Sequence, residues 1–177
     1  MTTSFLKNSF FVTIPMINKE KIILGLDPGI ADTGFGVIGY NGSKIRCLEF
    51  GSIKTSSKIE LVERLIELDE NLQKIIKKYK PDLVSIEKIF FNNNAKTALI
   101  VGQARGVVLI NVAKNRIPIV EFTPLQLKQG ISNYGRADKA QVKNMIKILL
   151  NLKEVPKSDD AADALGLAIC ALNFLKR

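Results

Sequence analysis

The order of the strand and helix patterns constrains the fold of this chain more than any other feature. Three strand patterns come first, over Ile22–Asp27, Thr33–Tyr40 and Ile45–Lys54. The Asn41-Gly42 pair between the second and third patterns favours a tight hairpin turn. The chain is therefore predicted to open with a three-stranded antiparallel meander.

Helix and strand patterns then alternate. Helices are expected over Ser56–Tyr79, Asn94–Asn115, Lys139–Leu150 and Asp160–Leu175, and strands over Leu83–Glu87 and Ile117–Phe122. The first helix has an apolar stripe at helical spacing, formed by Ile59, Val62, Leu65, Ile66, Leu68, Leu72, Ile75 and Ile76. Strands that are joined through a helix run parallel with right-handed crossovers. The predicted fold class is α/β, with a mixed five-stranded sheet in the order 3-2-1-4-5 flanked by helices.

Composition excludes several kinds of functional site. The 177 residues include no histidine, which rules out histidine bases, Ser-His nucleophiles and histidine metal ligands. Cys47 and Cys170 form no CxxC pair, which argues against structural zinc and favours reduced thiols in a cytoplasmic protein. The longest apolar stretch is interrupted by Gln103 and Arg105, so no membrane span is expected.

The net charge of +9, from 26 basic and 17 acidic residues, favours a polyanionic partner. Nucleic acid is the foremost candidate. The alternative is a solvated basic surface that has no partner.

Two strands of the predicted sheet end in an acidic residue. Asp27 ends the first strand and Glu87 ends the fourth. These strands are predicted to be parallel neighbours, so both carboxylates are expected at the same edge of the sheet, where α/β proteins bind ligands. Two acids at this edge repel unless a proton or a cation lies between them.

The last helix adds acids near its start. Asp160 and Asp163 share a helical face, but so do Asp159 and Asp163, and spacing alone does not choose between the two pairs. Helix capping by Ser158 and Asp159 is the alternative explanation, although it leaves Asp163 unexplained. A cluster of carboxylates favours Mg²⁺ or Mn²⁺. In a basic protein it suggests phosphodiester hydrolysis by two metal ions.

Four segments resemble the motifs of the RuvC family of bacterial Holliday-junction resolvases. They are ILGLDPGIADTGFGVI, SIEKIFFNNNAKTAL, VGQARGVV and DDAADALGLAI, in family order from Lys21 onward. The resemblance implies an RNase H-like nuclease domain over residues 21–177. It also implies that the catalytic, metal-binding acids are Asp27, Glu87, Asp160 and Asp163, with Asp159 as an extra neighbour at the helix cap.

The activity implied by this resemblance is Mg²⁺-dependent cleavage of four-way DNA junctions, with about two ions per site and Mn²⁺ as a substitute. Family members act as homodimers and make paired symmetric nicks during recombination and repair. Cooperation with the RuvA–RuvB branch-migration complex is also implied.

Six residues are predicted to contact DNA: Phe90, Phe91, Arg105, Lys128, Lys139 and Lys143. Phe90 is expected to stack on an unpaired base, with core packing as the alternative, and Phe91 adds a second ring. Lys128 and Lys139 match lysines that contact DNA in the family. Arg105 faces either DNA or an internal acid.

The remaining expectations concern the chain start, one helix and the competing functions. Residues 1–20 are expected to be a disordered extension, with Met16 as an alternative start. Gly102 and Gly106 favour close helix packing, which suits a dimer interface. The competing functions are a phosphate-binding protein of the actin-like or sugar-kinase type and a nucleic-acid-binding module without catalysis.

Overall fold

The computed structural model describes residues 19–88 and 95–175. The strands in these ranges are β1 (Lys21–Asp27), β2 (Asp32–Tyr40), β3 (Ile45–Lys54), β4 (Leu83–Glu87) and β5 (Ile119–Phe122). The helices in these ranges are α1 (Leu61–Tyr79), α2 (Ala95–Lys114), α3 (Pro124–Ser132), α4 (Lys139–Leu149), α5 (Asp159–Cys170) and α6 (Leu172–Leu175).

The strands form a single mixed sheet in the order β3-β2-β1-β4-β5, as predicted. β1, β2 and β3 pair antiparallel in sequence, whereas β4 is parallel to β1 and β5 is parallel to β4. The register sets Leu26 of β1 beside Ile86 of β4. The next residue on each strand is an acid, Asp27 and Glu87, so both reach the same edge of the sheet.

Helices cover both faces of the sheet. On one face, Leu24 and Val84 pack with α1 and α2 residues such as Leu72 and Val108. On the other face, Ile23 packs with residues of α3, α4 and α5, including Leu165. Neighbouring residues of a strand point to opposite faces, and this alternation divides the apolar side chains into two cores.

Helix α5 lies directly on the backbone of β1 and β2, because glycines on these strands leave no side chain between them. A Cβ atom added to Gly25 would stand 1.9 Å from the carbonyl oxygen of Ala164. One added to Gly34 would stand 2.0 Å from the carbonyl oxygen of Asp160, and one added to Gly36 would stand 2.7 Å from the amide nitrogen of Leu165. These glycines therefore hold the acidic end of α5 close to the edge of the sheet.

The structure corrects three details of the predicted helices. α1 begins at Leu61 rather than Ser56, and its predicted apolar positions Val62 and Ile66 are exposed. α3 was not predicted, although a Thr123 capping box and a proline in its first turn begin it. The last predicted helix is interrupted at Ala171, which separates α5 from α6.

Helix α2 leaves part of its surface unpacked. Leu99 and Ile110 are exposed, and a Cβ atom added to Gly102 or Gly106 would meet no atom within 4 Å. The two glycines therefore do not pack against another element within the described residues. Across residues 19–88 and 95–175, none of the helices has the length and hydropathy to cross a bilayer.

Candidate active site

The ends of β1 and β4 bring two carboxyl groups into contact. The side chains of Asp27 and Glu87 lie close enough for each carboxyl group to affect the pKa of the other, and both residues are half-buried. The turn after Asp27 is fixed by Thr33, a fully buried residue whose hydroxyl donates to the Gly29 carbonyl oxygen at 2.5 Å. A rigid turn therefore holds the first acid at the sheet edge that the sequence predicted.

Helix α5 points its first turn at this pair. Ser158 is the N-cap, and its hydroxyl accepts a hydrogen bond from the Ala161 amide at 3.3 Å. Asp159 is thus the first helical residue and not the cap. Asp160 and Asp163 lie within electrostatic range of the Asp27–Glu87 pair, since their charges raise the pKa of both acids.

The four acids disfavour one another's ionised forms. Burial, followed by the charge of Glu87, raises the pKa of Asp27 to about 8. Burial also raises the pKa values of Glu87, Asp160 and Asp163, and neighbouring carboxylates add to each increase. A group of buried acids with raised pKa values is characteristic of a functional site.

These acids provide the oxygen donors that Mg²⁺ and Mn²⁺ prefer. Within residues 19–88 and 95–175, no group of three or more acidic or cysteine side chains is arranged so that it could hold a metal ion as it stands. The contact between Asp27 and Glu87 nevertheless fits a cation, whose charge would neutralise their mutual repulsion. The donor chemistry therefore suits a hard divalent metal, with the α5 acids as its nearest further oxygen donors.

Two lysines of α4 form ion pairs with Asp159 at the outer side of the site. The Lys139 Nζ lies 2.9 Å from Asp159 Oδ2, and the Lys143 Nζ lies 2.5 Å from Asp159 Oδ1. The charge of Lys139 also lowers the pKa values of Glu87, Asp160 and Asp163, against the larger effect of burial. Lys139 therefore stands at the mouth of the acidic site, as its predicted contact with DNA requires.

The family comparison agrees with this arrangement of fold and acids. A family profile described as "Crossover junction endodeoxyribonuclease RuvC" matches residues 23–171. This chain belongs to the RuvC family.

Individual relatives support the same assignment. The crossover junction endodeoxyribonuclease RuvC of Alkaliphilus oremlandii is 53% identical over 149 residues, which cover 84% of this chain and 91% of the relative. The structure of T. thermophilus RuvC in complex with a Holliday junction substrate has a TM-score of 0.83 and 31% identity, covering 88% of this chain and 95% of the other. The yeast mitochondrial Holliday junction resolvase Ydc2 covers 87% of this chain at a TM-score of 0.62 and 15% identity, a likeness of fold alone.

Membership of the RuvC family confirms the predicted fold class and the predicted enzyme class. The chain is a hydrolase, a crossover junction endodeoxyribonuclease that resolves Holliday junctions. The kinase-like and non-catalytic alternatives are not favoured. Family membership also implies dependence on a divalent metal, without identifying the ion or the number of ions.

Arg105 contacts an internal acid in this RuvC chain, which is one of its two predicted partners. Its Nη1 donates to the backbone carbonyl oxygen of Glu87 at 2.6 Å, and its Nη2 forms an ion pair with Glu121. Only 17% of the Arg105 side chain is exposed. The guanidinium therefore holds the backbone that carries a predicted metal ligand, while its contact with DNA stays a prediction.

A further acid beside the site, Asp32, was not among the predicted site residues. The charge of Asp32 raises the pKa of Asp160, and the Asp32 Oδ1 is buried without a hydrogen-bond partner among the described residues. A sequence signal existed, because Asp32 begins the strand that is paired with β1. Its neighbourhood depends on the approach of α5, which the sequence pattern did not predict.

Of the other predicted DNA contacts, the structure describes Lys128 but not Phe90 or Phe91. Lys128 lies half-buried on α3, and no ion pair involves it in the described part of the chain. Phe90 and Phe91 fall in the gap between residues 88 and 95, outside the described residues. Most of the predicted N-terminal extension is also outside them, although Glu20 pairs with Arg46 at 2.6 Å.

Proposed function

We propose that this enzyme cleaves phosphodiester bonds of four-way DNA junctions with Mg²⁺ held by Asp27, Glu87, Asp160 and Asp163. Two ions per site are expected, and Mn²⁺ is expected to substitute. The proposal rests mainly on the half-buried pair of Asp27 and Glu87 at the ends of neighbouring strands, whose pKa values are raised further by the charges of the two α5 acids. All four are oxygen donors, as Mg²⁺ requires.

The chain's own groups have distinct tasks in this reaction. Burial and the charge of Glu87 raise the pKa of Asp27 to about 8, which favours a proton on this carboxyl at neutral pH. A divalent metal held by the four acids would supply an activated water and would neutralise charge on the phosphate. Lys139, at the mouth of the site, stabilises the negative charge that develops on the phosphate. Arg105 keeps the Glu87 backbone fixed through its hydrogen bond to the carbonyl oxygen.

Phosphate contacts are assigned to Lys128, Lys139 and Lys143, and base stacking is assigned to Phe90 and Phe91. Each phosphate contact is expected to steepen the dependence of log Kd on log salt concentration by about one unit. The aromatic residues are expected to contribute through stacking on bases that the junction leaves unpaired. DNA contact by Arg105 is a weaker part of the proposal because its guanidinium already has two internal partners.

The acid assignment is tested with a labelled four-way junction and a linear duplex of the same sequence, each in Mg²⁺, Mn²⁺ or EDTA. Asp27→Asn, Glu87→Gln and Asp160→Asn are expected to abolish cleavage and leave junction binding within about twofold, since binding rests on other groups. Asp159→Asn is the matched control and is expected to cleave. Normal cleavage by Asp27→Asn, or equal loss in the Asp159 and Asp160 variants, would reject the assignment.

Labelling each of the four strands in turn tests the paired cuts. Two strands of like polarity are expected to be nicked at symmetric positions, and the linear duplex is expected to stay intact. Cuts on one strand only, or equal cutting of the duplex, would contradict the proposed mode of resolution.

We also infer that the enzyme acts as a homodimer through α2, since paired cuts require two active sites. Exposed Leu99 and Ile110 flank two glycines whose outer surface is open, which suits the close approach of a second copy. Ile110→Glu is expected to halve the mass measured by light scattering. Ile148→Glu, at an exposed position on α4, is expected to leave it unchanged. Identical masses for the two variants would exclude this interface.

The proposed setting of the reaction follows from the same family. RuvA–RuvB is the proposed partner complex at the junction, and the cytoplasm is the proposed location because the bacterial relatives act on DNA there. Enhanced cleavage upon adding RuvA–RuvB to the junction would support the partnership.

A further inference from the structure

Asp159 is the one acid at the start of α5 that takes no assigned part in metal binding. Its two carboxylate oxygens accept one lysine each, Lys139 at 2.9 Å and Lys143 at 2.5 Å. These are two of the lysines to which phosphate contacts are assigned above. The carboxylate thus occupies two ammonium groups that DNA binding would use.

The geometry makes this arrangement reversible. Asp159 is 47% exposed and Lys139 is 71% exposed, so water and ions reach their contact freely. Exposed ion pairs of this kind contribute little stability, and a phosphate group can replace the carboxylate as the lysine's partner. Lys143 is more restricted, with 17% of its side chain exposed, and its ammonium also approaches the Lys157 carbonyl oxygen at 3.4 Å.

Asp159 adds one negative charge directly between the two ammonium groups, each of which lies within ion-pair distance of one of its oxygens. It reduces the joint charge of the three groups from +2 to +1 at the mouth of the site.

We propose that Asp159 restrains DNA binding by competing with backbone phosphates for the ammonium groups of Lys139 and Lys143. This inference rests on the DNA contacts assigned to these lysines in the proposed function. The restraint acts on every DNA equally at the level of the backbone. Its effect is to lower non-specific affinity, so that tight binding requires the further contacts that a junction supplies.

Binding of a four-way junction and of a linear duplex in EDTA, followed by fluorescence anisotropy, tests the restraint. Asp159→Asn is expected to bind both DNAs about three- to tenfold more tightly at about 50 mM salt, because two weak competing pairs are lost. The gain is expected to shrink as salt rises, and the dependence of log Kd on log salt to steepen by about one unit. The ratio of the two Kd values is expected to stay within about twofold, since the same backbone contacts are released for both DNAs.

Two controls separate competition from a general change of charge. Glu154→Gln removes an exposed acid of the same loop region that forms no ion pair among the described residues, and it is expected to change Kd by less than twofold. Asp159→Glu keeps the charge and is expected to bind like the wild type. A Tm measurement on each variant verifies that the fold is retained.

A background that lacks both lysines gives the decisive comparison. In the Lys139→Met, Lys143→Met protein, adding Asp159→Asn is expected to have no effect on Kd, because nothing remains for the carboxylate to withhold. If Asp159→Asn tightens DNA binding equally in that background, the effect comes from general electrostatics and not from competition for the lysines. That result would overturn the proposal. Weaker binding by Asp159→Asn in the wild-type background would also overturn it, since the carboxylate would then orient the lysines for DNA.

The lysine variants distinguish this failure from failure of the proposed function. If the paired lysine variant binds DNA as tightly as the wild type, the phosphate contacts themselves are wrong. If it binds more weakly while Asp159→Asn is unchanged, the contacts stand and only the restraint is rejected.

Discussion

Gly34 offers the sharpest test of how the active site is spaced. In Gly34→Ala the new Cβ atom would stand 2.0 Å from the carbonyl oxygen of Asp160 and 2.3 Å from its carbonyl carbon. Such contacts are not found below 3.0 Å, so the start of α5 must move away from β2 by about 1 Å. The moving residue is itself a proposed metal ligand.

The cost of this movement follows from the tolerance of metal sites. Ligand distances are held to within about 0.2 Å, and a misplacement of about 1 Å costs roughly 10²-fold in rate. We expect Gly34→Ala to cleave the junction about 10²-fold more slowly and to require more Mg²⁺. Junction affinity in EDTA is expected to stay within about twofold. Overpacking of about 1–3 kcal/mol is expected to lower Tm by about 3–10 °C.

Gly51→Ala is the matched control for this experiment. Its Cβ would meet the ring of Phe35 at 3.1 and 3.2 Å, and that ring belongs to the core on the opposite face of the sheet, away from α5. A smaller loss of stability with nearly normal cleavage is expected, because the ring has to give by only a few tenths of an ångström. If folded Gly34→Ala cleaves within about threefold of the wild-type rate, the glycine contact does not set the spacing of the acids.

Three further predictions address charge, positioning and the helix surface. Between about pH 4 and 8, Asp27 is protonated in the folded protein but ionised in the unfolded chain. The folded state therefore binds more protons, and the Tm in EDTA is expected to fall as pH rises through this range. Asp27→Asn is expected to raise Tm at pH 8 by several degrees and to flatten this slope; an unchanged slope would contradict the buried acid. In Arg105→Lys, a single ammonium group replaces a guanidinium that contacts both the Glu87 carbonyl oxygen and Glu121. This variant is expected to cleave about tenfold more slowly with an unchanged junction Kd. Normal cleavage would contradict a positioning role for Arg105. Val62 is exposed and Leu68 is buried on the same helix. In a urea titration, Val62→Lys is expected to change the free energy of unfolding by less than about 0.5 kcal/mol, and Leu68→Ala to lower it by about 2–5 kcal/mol. Similar losses for the two variants would contradict the observed burial pattern of α1.

The sequence was sufficient to predict the sheet and the elements that carry the acids. Strands without a helix between them pair as a meander, whereas strands joined by a helix run parallel, and these two rules place Asp27 beside Glu87. The family motif then chose Asp160 over Asp159. In the structure Asp159 turns to α4 and pairs with lysines there, and the choice of Asp160 stays a prediction.

Other features depend on tertiary approach and were not accessible from local patterns. The apolar periodicity of α1 included Val62, but this side chain is exposed, whereas Leu68 and Leu72 on the same helix are buried. The neighbourhood of Asp32 and Asp160 arises only because Gly34 lets α5 settle on β2. For α3, the local signal is the capping box at Thr123 rather than apolar periodicity.

Neighbouring residues of helix α2 contact the active-site strand on one side and are open on the other. The guanidinium of Arg105 is tied to the Glu87 carbonyl on its inner side, while the neighbouring Gly106 lies open on its outer side. Any sliding or rolling of this helix therefore pulls on the strand end that carries Glu87, a proposed metal ligand. Mechanical stress applied from outside at α2 therefore reaches the end of β4 through Arg105 as well as through the apolar core that the two elements share.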